Sequence, residues 1–347
     1  MAQEPLPGIH MGAMFFPYRY IALLLLMVQT TSSILVLRYS RTVNGDGGHY
    51  ISTTAVVMSE CFKLVGSFFL LQRETGLGLV QTYRHMYGEI MGNWKGTLKL
   101  SVPALLYTVQ NNLLFIALSN LSAATYQVTY QLKILTTAVF SVTMLSKVIS
   151  SRQWISLVLL MAGVALVQMP ADDGSGDATM PEDANKNQFV GLVAVLSACC
   201  SSGFAGVYFE KILKGTKQSL WLRNIQLSLF SIVLGLIGVV VNDGDRVAEG
   251  GFFQYYSTVT WIAISLQAFG GLIIAAVIKF ADNILKGFAN SISIILTGLL
   301  SYLLLGDVRF TMYFAVGTML VVASTFMYSH PSSQPAPKPT LPQTGHK

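Results

Sequence analysis

Charged residues are scarce in this chain: Asp, Glu, Lys and Arg make up 11% of its 347 residues. A soluble domain carries about a quarter of its residues as charges, so a body bathed in water on all sides is excluded. Cysteine is rarer still. Cys61, Cys199 and Cys200 have no metal-ligand spacing, which excludes a zinc site or a disulfide scaffold and leaves them as small residues inside apolar segments. No G-x-x-x-x-G-K-[ST] loop is present, so ATP-driven pumping lacks its phosphate cradle. Met1 to Pro17 has no basic region and runs straight into a long apolar segment, which argues against a cleaved signal peptide. No cofactor and no nucleic-acid partner are expected.

What is abundant is apolar. Hydrophobic residues reach 52% and the mean hydropathy is +0.55. Apolar runs near membrane length fall at 19–37, 51–71, 98–118, 123–145, 153–169, 188–210, 221–241, 258–278, 287–305 and 309–328. Backbone polar groups in lipid must bond within their own segment, so these runs read as helices. The expected fold is an all-α polytopic membrane protein with ten transmembrane helices.

The basic residues set an orientation. With a cytosolic N-terminus, that side collects fourteen Lys and Arg residues, among them Arg73, Arg84, Lys147, Lys211, Lys214, Lys217 and Arg223, against five opposite. Both termini are therefore expected in the cytosol. Residues 170–187 hold Asp172, Asp173, Asp177, Glu182 and Asp183 against Lys186 alone, and read as an acidic lumenal linker. It separates a first five-helix repeat within residues 1–169 from a second at 188–328, followed by a flexible cytosolic tail at 329–347 rich in Pro and Ser. Two five-helix units of opposite sense are what an inverted-repeat transporter requires, with its site near midplane between them. The helix number carries this reading, for no residue-level repeat is evident.

Lys133 lies in the middle of the fourth run. A charge near the bilayer centre costs about 2.5 to 3.5 kcal/mol, so a partner or ligand of opposite sign is expected to use it. Tyr126, Tyr130 and Lys133 share a face, and Tyr107, Gln110 and Asn111 share one in the third run. Rings, amides and one cation suit a ligand with a flat base, polar edges and an anionic group; the alternative is polar bonding between helices. Glu60 and Lys63, three residues apart, can neutralise each other, or Glu60 can serve as the gating partner of Lys133. Gly203 and Gly206 bare one strip of backbone to a helix or a ligand, and Asn224 and Ser228 share a face. Lys286 falls at the positive end of the ninth helix, where an anion is wanted.

Blocks of these residues resemble a known family. Tyr107-Thr-Val-Gln110-Asn111-Asn112, Ala124-Thr-Tyr126-Gln-Val-Thr-Tyr130-Gln-Leu-Lys133, Ser202-Gly203-Phe-Ala-Gly206-Val-Tyr208-Phe-Glu210-Lys211, Trp221-Leu-Arg223-Asn224 and Asp282-Asn283-Ile-Leu-Lys286-Gly287 are similar to the Golgi nucleotide-sugar transporters for CMP-sialic acid, UDP-galactose and UDP-N-acetylglucosamine. The wording of the second half is most similar to the UDP-N-acetylglucosamine branch. The resemblance implies a drug/metabolite-transporter fold and exchange of a UDP sugar for UMP across the Golgi membrane. It places Tyr107, Gln110, Asn111, Tyr126, Lys133, Gly203, Gly206, Asn224, Ser228 and Lys286 in the nucleotide pocket, with the two lysines on phosphates, and the face shared with Tyr126 and Lys133 adds Tyr130. The implied partners are the sugar nucleotide, UMP and the bilayer, with a second copy of the chain or a Golgi glycosyltransferase left open. Ser228, Asn290, Thr297 and Phe280 depart from the family pattern, so the sugar stays open among UDP-N-acetylglucosamine, UDP-galactose and a mixed UDP-sugar specificity, with CMP-sialic acid the less favoured alternative. A lumenal enzyme using Asp243-Gly244-Asp245 as a metal site is the competing class, and the lack of further ligands nearby argues against it.

Overall fold

The computed structural model describes residues 8–11, 14–43, 50–169, 187–304 and 311–329. The acidic linker up to residue 186 and the tail beyond residue 329 lie outside the described residues. A short antiparallel hairpin of β1 (Gly8–Met11) and β2 (Met14–Pro17) precedes the helices. It is the only departure from an all-helical chain among the described residues.

The helices are α1 (Tyr18–Val43), α2 (Ser52–Thr75), α3 (Leu79–Gly92), α4 (Trp94–Leu98), α5 (Ser101–Asn120), α6 (Ala123–Tyr130), α7 (Lys133–Leu145), α8 (Ser151–Val167), α9 (Gln188–Lys214), α10 (Leu220–Gly250), α11 (Thr258–Phe280), α12 (Asn283–Leu304) and α13 (Met312–Ser329). Nine membrane-length apolar spans occur among the described residues, and α8 is a shorter apolar helix. The chain is thus an all-α polytopic membrane protein.

Three features depart from what hydropathy suggests. Between the second and third runs, α3 forms from a stretch too polar to register as a span, and α4 extends the third span at its N-terminal end. The fourth run is two helices: Gln131 (φ −65, ψ −18) and Leu132 (φ −56, ψ −19) take a tight 3₁₀ geometry. There the amides of Gln131, Leu132 and Ile134 donate to carbonyls three residues back at 3.0–3.2 Å, so the turn satisfies these backbone donors inside the span. Finally, Asp243-Gly244-Asp245 lies within α10, at a kink where Asp243 leaves helical geometry (φ −130, ψ 16), rather than in a loop.

The most extensive helix pairings join a segment before the linker to one after it: α5 with α9, α8 with α13, α2 with α10, α1 with α11 and with α12, and α7 with α9. Lipid offers no hydrophobic drive between helices, so these contacts depend on small residues that admit close packing. Between α8 and α13 backbone approaches backbone. A Cβ on Gly163 would stand 2.9 Å from the Gly317 carbonyl oxygen, and one on Gly317 would stand 2.7 Å from that of Gly163.

Candidate functional site

The 3₁₀ turn separating α6 from α7 puts Lys133 at the start of a helix inside the membrane span. Its ammonium sits 4.0 Å from the centroid of the Tyr130 ring, a cation–π contact that holds the charge in a low-dielectric setting. Tyr130 stacks on Tyr126 at 5.8 Å and 12°, so the rings form one flat surface. Across from them, Gln110 of α5 donates from Nε2 to the Tyr130 hydroxyl at 3.2 Å. The Gln110 Oε1 is buried with no partner among the described residues. A cation, an aromatic platform and an orphaned acceptor therefore converge. Tyr107 is half-buried on the same side of α5, whereas Asn111 is exposed.

Lys286, from the other side of the linker, lies within electrostatic reach of both Lys133 and Glu210. The two cations expected to act together are thus near one another, and neither forms a salt bridge among the described residues. The N-terminus of α12 is supplied with anions by the protein itself. Asp282 Oδ1 accepts from the Leu285 amide at 2.8 Å, an N-cap, and Oδ2 pairs with Lys147 at 2.5 Å. Glu210, 2% exposed, accepts from the Asn283 backbone amide at 3.0 Å and from its side chain at 3.2 Å. Its other oxygen pairs with Lys214 at 2.7 Å, which also donates to the Ala281 carbonyl.

Sequence reasoning gave Glu210, Asp282 and Lys147 no role. A signal existed for two of them: Glu210 and Lys214 have the i, i+4 spacing of a helical pair, and Asp282 precedes an apolar run as an N-cap does. Glu210→Ala is expected to lower the thermal stability of the detergent-solubilised protein by about 3 kcal/mol or more, because two buried donors and Lys214 lose their acceptor. An unchanged melting temperature would show that this network carries no weight.

The remaining candidates serve packing in this conformation. A Cβ on Gly203 would meet Thr136 Oγ1 at 2.8 Å and the Thr137 amide nitrogen at 2.9 Å, and one on Gly206 would meet Asn283 Oδ1 at 3.1 Å. Both bare strips are thus covered by protein atoms. Asn224 donates to Ser67 Oγ of α2 at 3.1 Å, and Ser228, fully buried, has an Oγ with no partner among the described residues. Glu60 pairs with Lys63 at 2.6 Å, with Lys63 laid across Gly271 of α11; it does not reach Lys133. Asp243 accepts from Thr53 at 2.6 Å and pairs with Arg246 at 3.3 Å. Among the described residues, no three His, Cys, Asp or Glu side chains gather as a metal site would need.

Residues 15–329 match the family model described as nucleotide-sugar transporter. A mouse UDP-N-acetylglucosamine transporter is 55% identical, covering 93% of this chain and 98% of its own. A mouse UDP-galactose translocator is 49% identical, covering 90% and 78%. One solved crystal structure has the same fold, with a TM-score of 0.60 over 90% of this chain and 97% of that one at 13% identity.

Proposed function

The chain belongs to the nucleotide-sugar transporter family, and within it we propose that the protein carries UDP-N-acetylglucosamine from the cytosol into the Golgi lumen in exchange for UMP. The observation that carries the choice of sugar is 55% identity to a UDP-N-acetylglucosamine transporter over nearly the whole chain, against 49% to a UDP-galactose translocator. UDP-galactose is the second reading.

In this reading Lys133 and Lys286 hold the phosphates, the Tyr126–Tyr130 platform takes the flat base, and the free Gln110 Oε1 accepts from a base N–H. A broken helix beside the site supports it, since transporters build their sites where a membrane helix is interrupted. Lysine suits the task because it binds phosphate as a point charge without a bidentate grip, which exchange needs for release. Asn224 and Ser228 reach the ligand once α2 and α10 part during alternating access.

We also assign α8 as a tenth span. Its 17 residues are the shortest that cross about 30 Å of hydrocarbon with slight thinning. Two inverted five-helix repeats, 1–169 and 188–328, are supported by the helix pairings, which map onto each other when the halves are exchanged. The α5–α9 pair corresponds to α11–α1, α7–α9 to α12–α1, and α2–α11 to α10–α5; α2–α10 and α8–α13 correspond to themselves. The end bearing Lys147, Lys214 and Lys217 faces the cytosol, as do both termini.

Counterflow in proteoliposomes preloaded with UMP is expected to drive uptake of UDP-N-acetylglucosamine above UDP-galactose, CMP-sialic acid and GDP sugars. Preferred uptake of UDP-galactose establishes the second reading, and uptake of none of the UDP sugars defeats both.

A further inference from the structure

A cavity of about 540 Å³ opens among α3, the α9–α10 connection and the start of α10. It shares no lining residue with the site around Lys133. Arg223 forms its inner wall at 2% exposure. One guanidinium nitrogen donates to the Gly96 carbonyl at 3.3 Å and to Gln226 Oε1 at 3.1 Å, while Nε is buried with no partner among the described residues. Gln218 donates from Nε2 to Glu89 at 2.8 Å, and its buried Oε1 is likewise unpartnered. Lys217 is exposed at the mouth.

The residues lining the cavity therefore carry an orphaned guanidinium donor, an orphaned amide acceptor and an ammonium group. Among the lining residues Glu89 offsets one of the two positive charges, and Glu74, which accepts from the lining Ser219, stands behind the wall. Buried polar atoms without partners are uncommon in native proteins and call for an explanation. An anionic oxygen would satisfy Arg223 Nε and Lys217, but Gln218 Oε1 needs a donor, which a fully ionised phosphate lacks. A hydroxyl on the same molecule supplies it, and the volume exceeds that of a bare phosphate.

The cavity's position narrows the source. Helix α3 points Val80, Tyr83, Tyr87 and Met91 outward in an apolar stripe, with Trp94 continuing it, and buries Thr82 and Ile90 on its inner side. Such a stripe beside membrane spans belongs in the interfacial plane, at headgroup depth.

We propose that this cavity is a binding site for a phosphomonoester carried on a hydroxylated ring, distinct from the transport site. The phosphate bonds Arg223 Nε and Lys217, and a ring hydroxyl donates to Gln218 Oε1. The ring belongs either to an inositol phospholipid of the adjacent leaflet or to a soluble sugar phosphate.

Binding is measured on the full chain in phosphatidylcholine nanodiscs, with soluble glucose phosphate and inositol trisphosphate in one arm and discs doped with phosphatidylinositol monophosphate in the other. At least one arm is expected to bind, and which one identifies the source. Lys217→Gln, a surface change that leaves packing intact, should weaken that binding about tenfold or more, and Arg223→Lys, which keeps charge but removes Nε, should do likewise. Absence of binding in both arms, or wild-type binding by Lys217→Gln, overturns the proposal. The readout is binding, so its failure is separable from that of the exchange assay.

Discussion

Lys133→Ala is expected to reduce nucleotide-sugar exchange by about two orders of magnitude or more while the protein still folds, because the charge it removes serves the ligand and not the fold. Lys133 forms no salt bridge among the described residues, and its neighbour is the face of Tyr130 at 4.0 Å. Deleting it strands no carboxylate. It also relieves the bilayer of a charge that costs about 2.5 to 3.5 kcal/mol near the midplane. Counterflow in proteoliposomes and melting in detergent, read on one preparation, separate the two effects. Wild-type exchange by the alanine variant would remove Lys133 from any phosphate role. Lys133→Arg is expected to restore only part of the rate, since a planar fork cannot reproduce a compact ammonium over the same ring.

The second large effect is expected at Gly203. Its Cα faces the first turn of α7 so closely that a valine Cβ would stand 2.9 Å from the Thr137 amide nitrogen, and backbone cannot yield as a side chain can. Helix α9 must then withdraw from α7, breaking the bond from Thr136 Oγ1 to the Cys199 carbonyl at 2.9 Å. Overpacking of this kind costs about 1 to 3 kcal/mol. Because the displaced turn begins with Lys133, Gly203→Val should lose exchange as well as thermal stability. Gly206→Ala should lose less, for there the nearest atoms belong to the Asn283 side chain. A melting temperature for Gly203→Val equal to wild type would show that the close approach is dispensable.

How far the site was legible varies by residue. Tyr126, Tyr130 and Lys133 lie within two helical turns, so local spacing alone put them together, and the 3₁₀ turn at Gln131 and Leu132 did not separate Lys133 from Tyr130. In the third segment spacing grouped Gln110 with Asn111, yet Gln110 is 8% exposed and bonded to Tyr130 while Asn111 is exposed. Adjacent residues on a helix point about 100° apart, and only the position of α6 and α9 tells which of the two is covered. For Lys286 the sequence posed a cation at a helix N-terminus wanting an anion. The structure answers with Glu210, 76 positions away along the chain, while Asp282 caps the helix and pairs with Lys147.

The sequence by itself determined that this is a membrane protein of apolar helices, and which local faces carry its few polar groups. The bilayer imposes those features segment by segment: each span must be long, apolar and internally hydrogen-bonded whatever its neighbours do. Only the tertiary structure decided the partnerships. Asp282 takes Lys147 and Glu210 takes Asn283 across 135 and 73 residues, Glu60 takes Lys63, and Lys133 lies over the Tyr130 ring with no salt bridge among the described residues. A scarce charge in lipid is spent on whatever helix packing brings within a few ångströms, and that depends on the arrangement of the whole bundle.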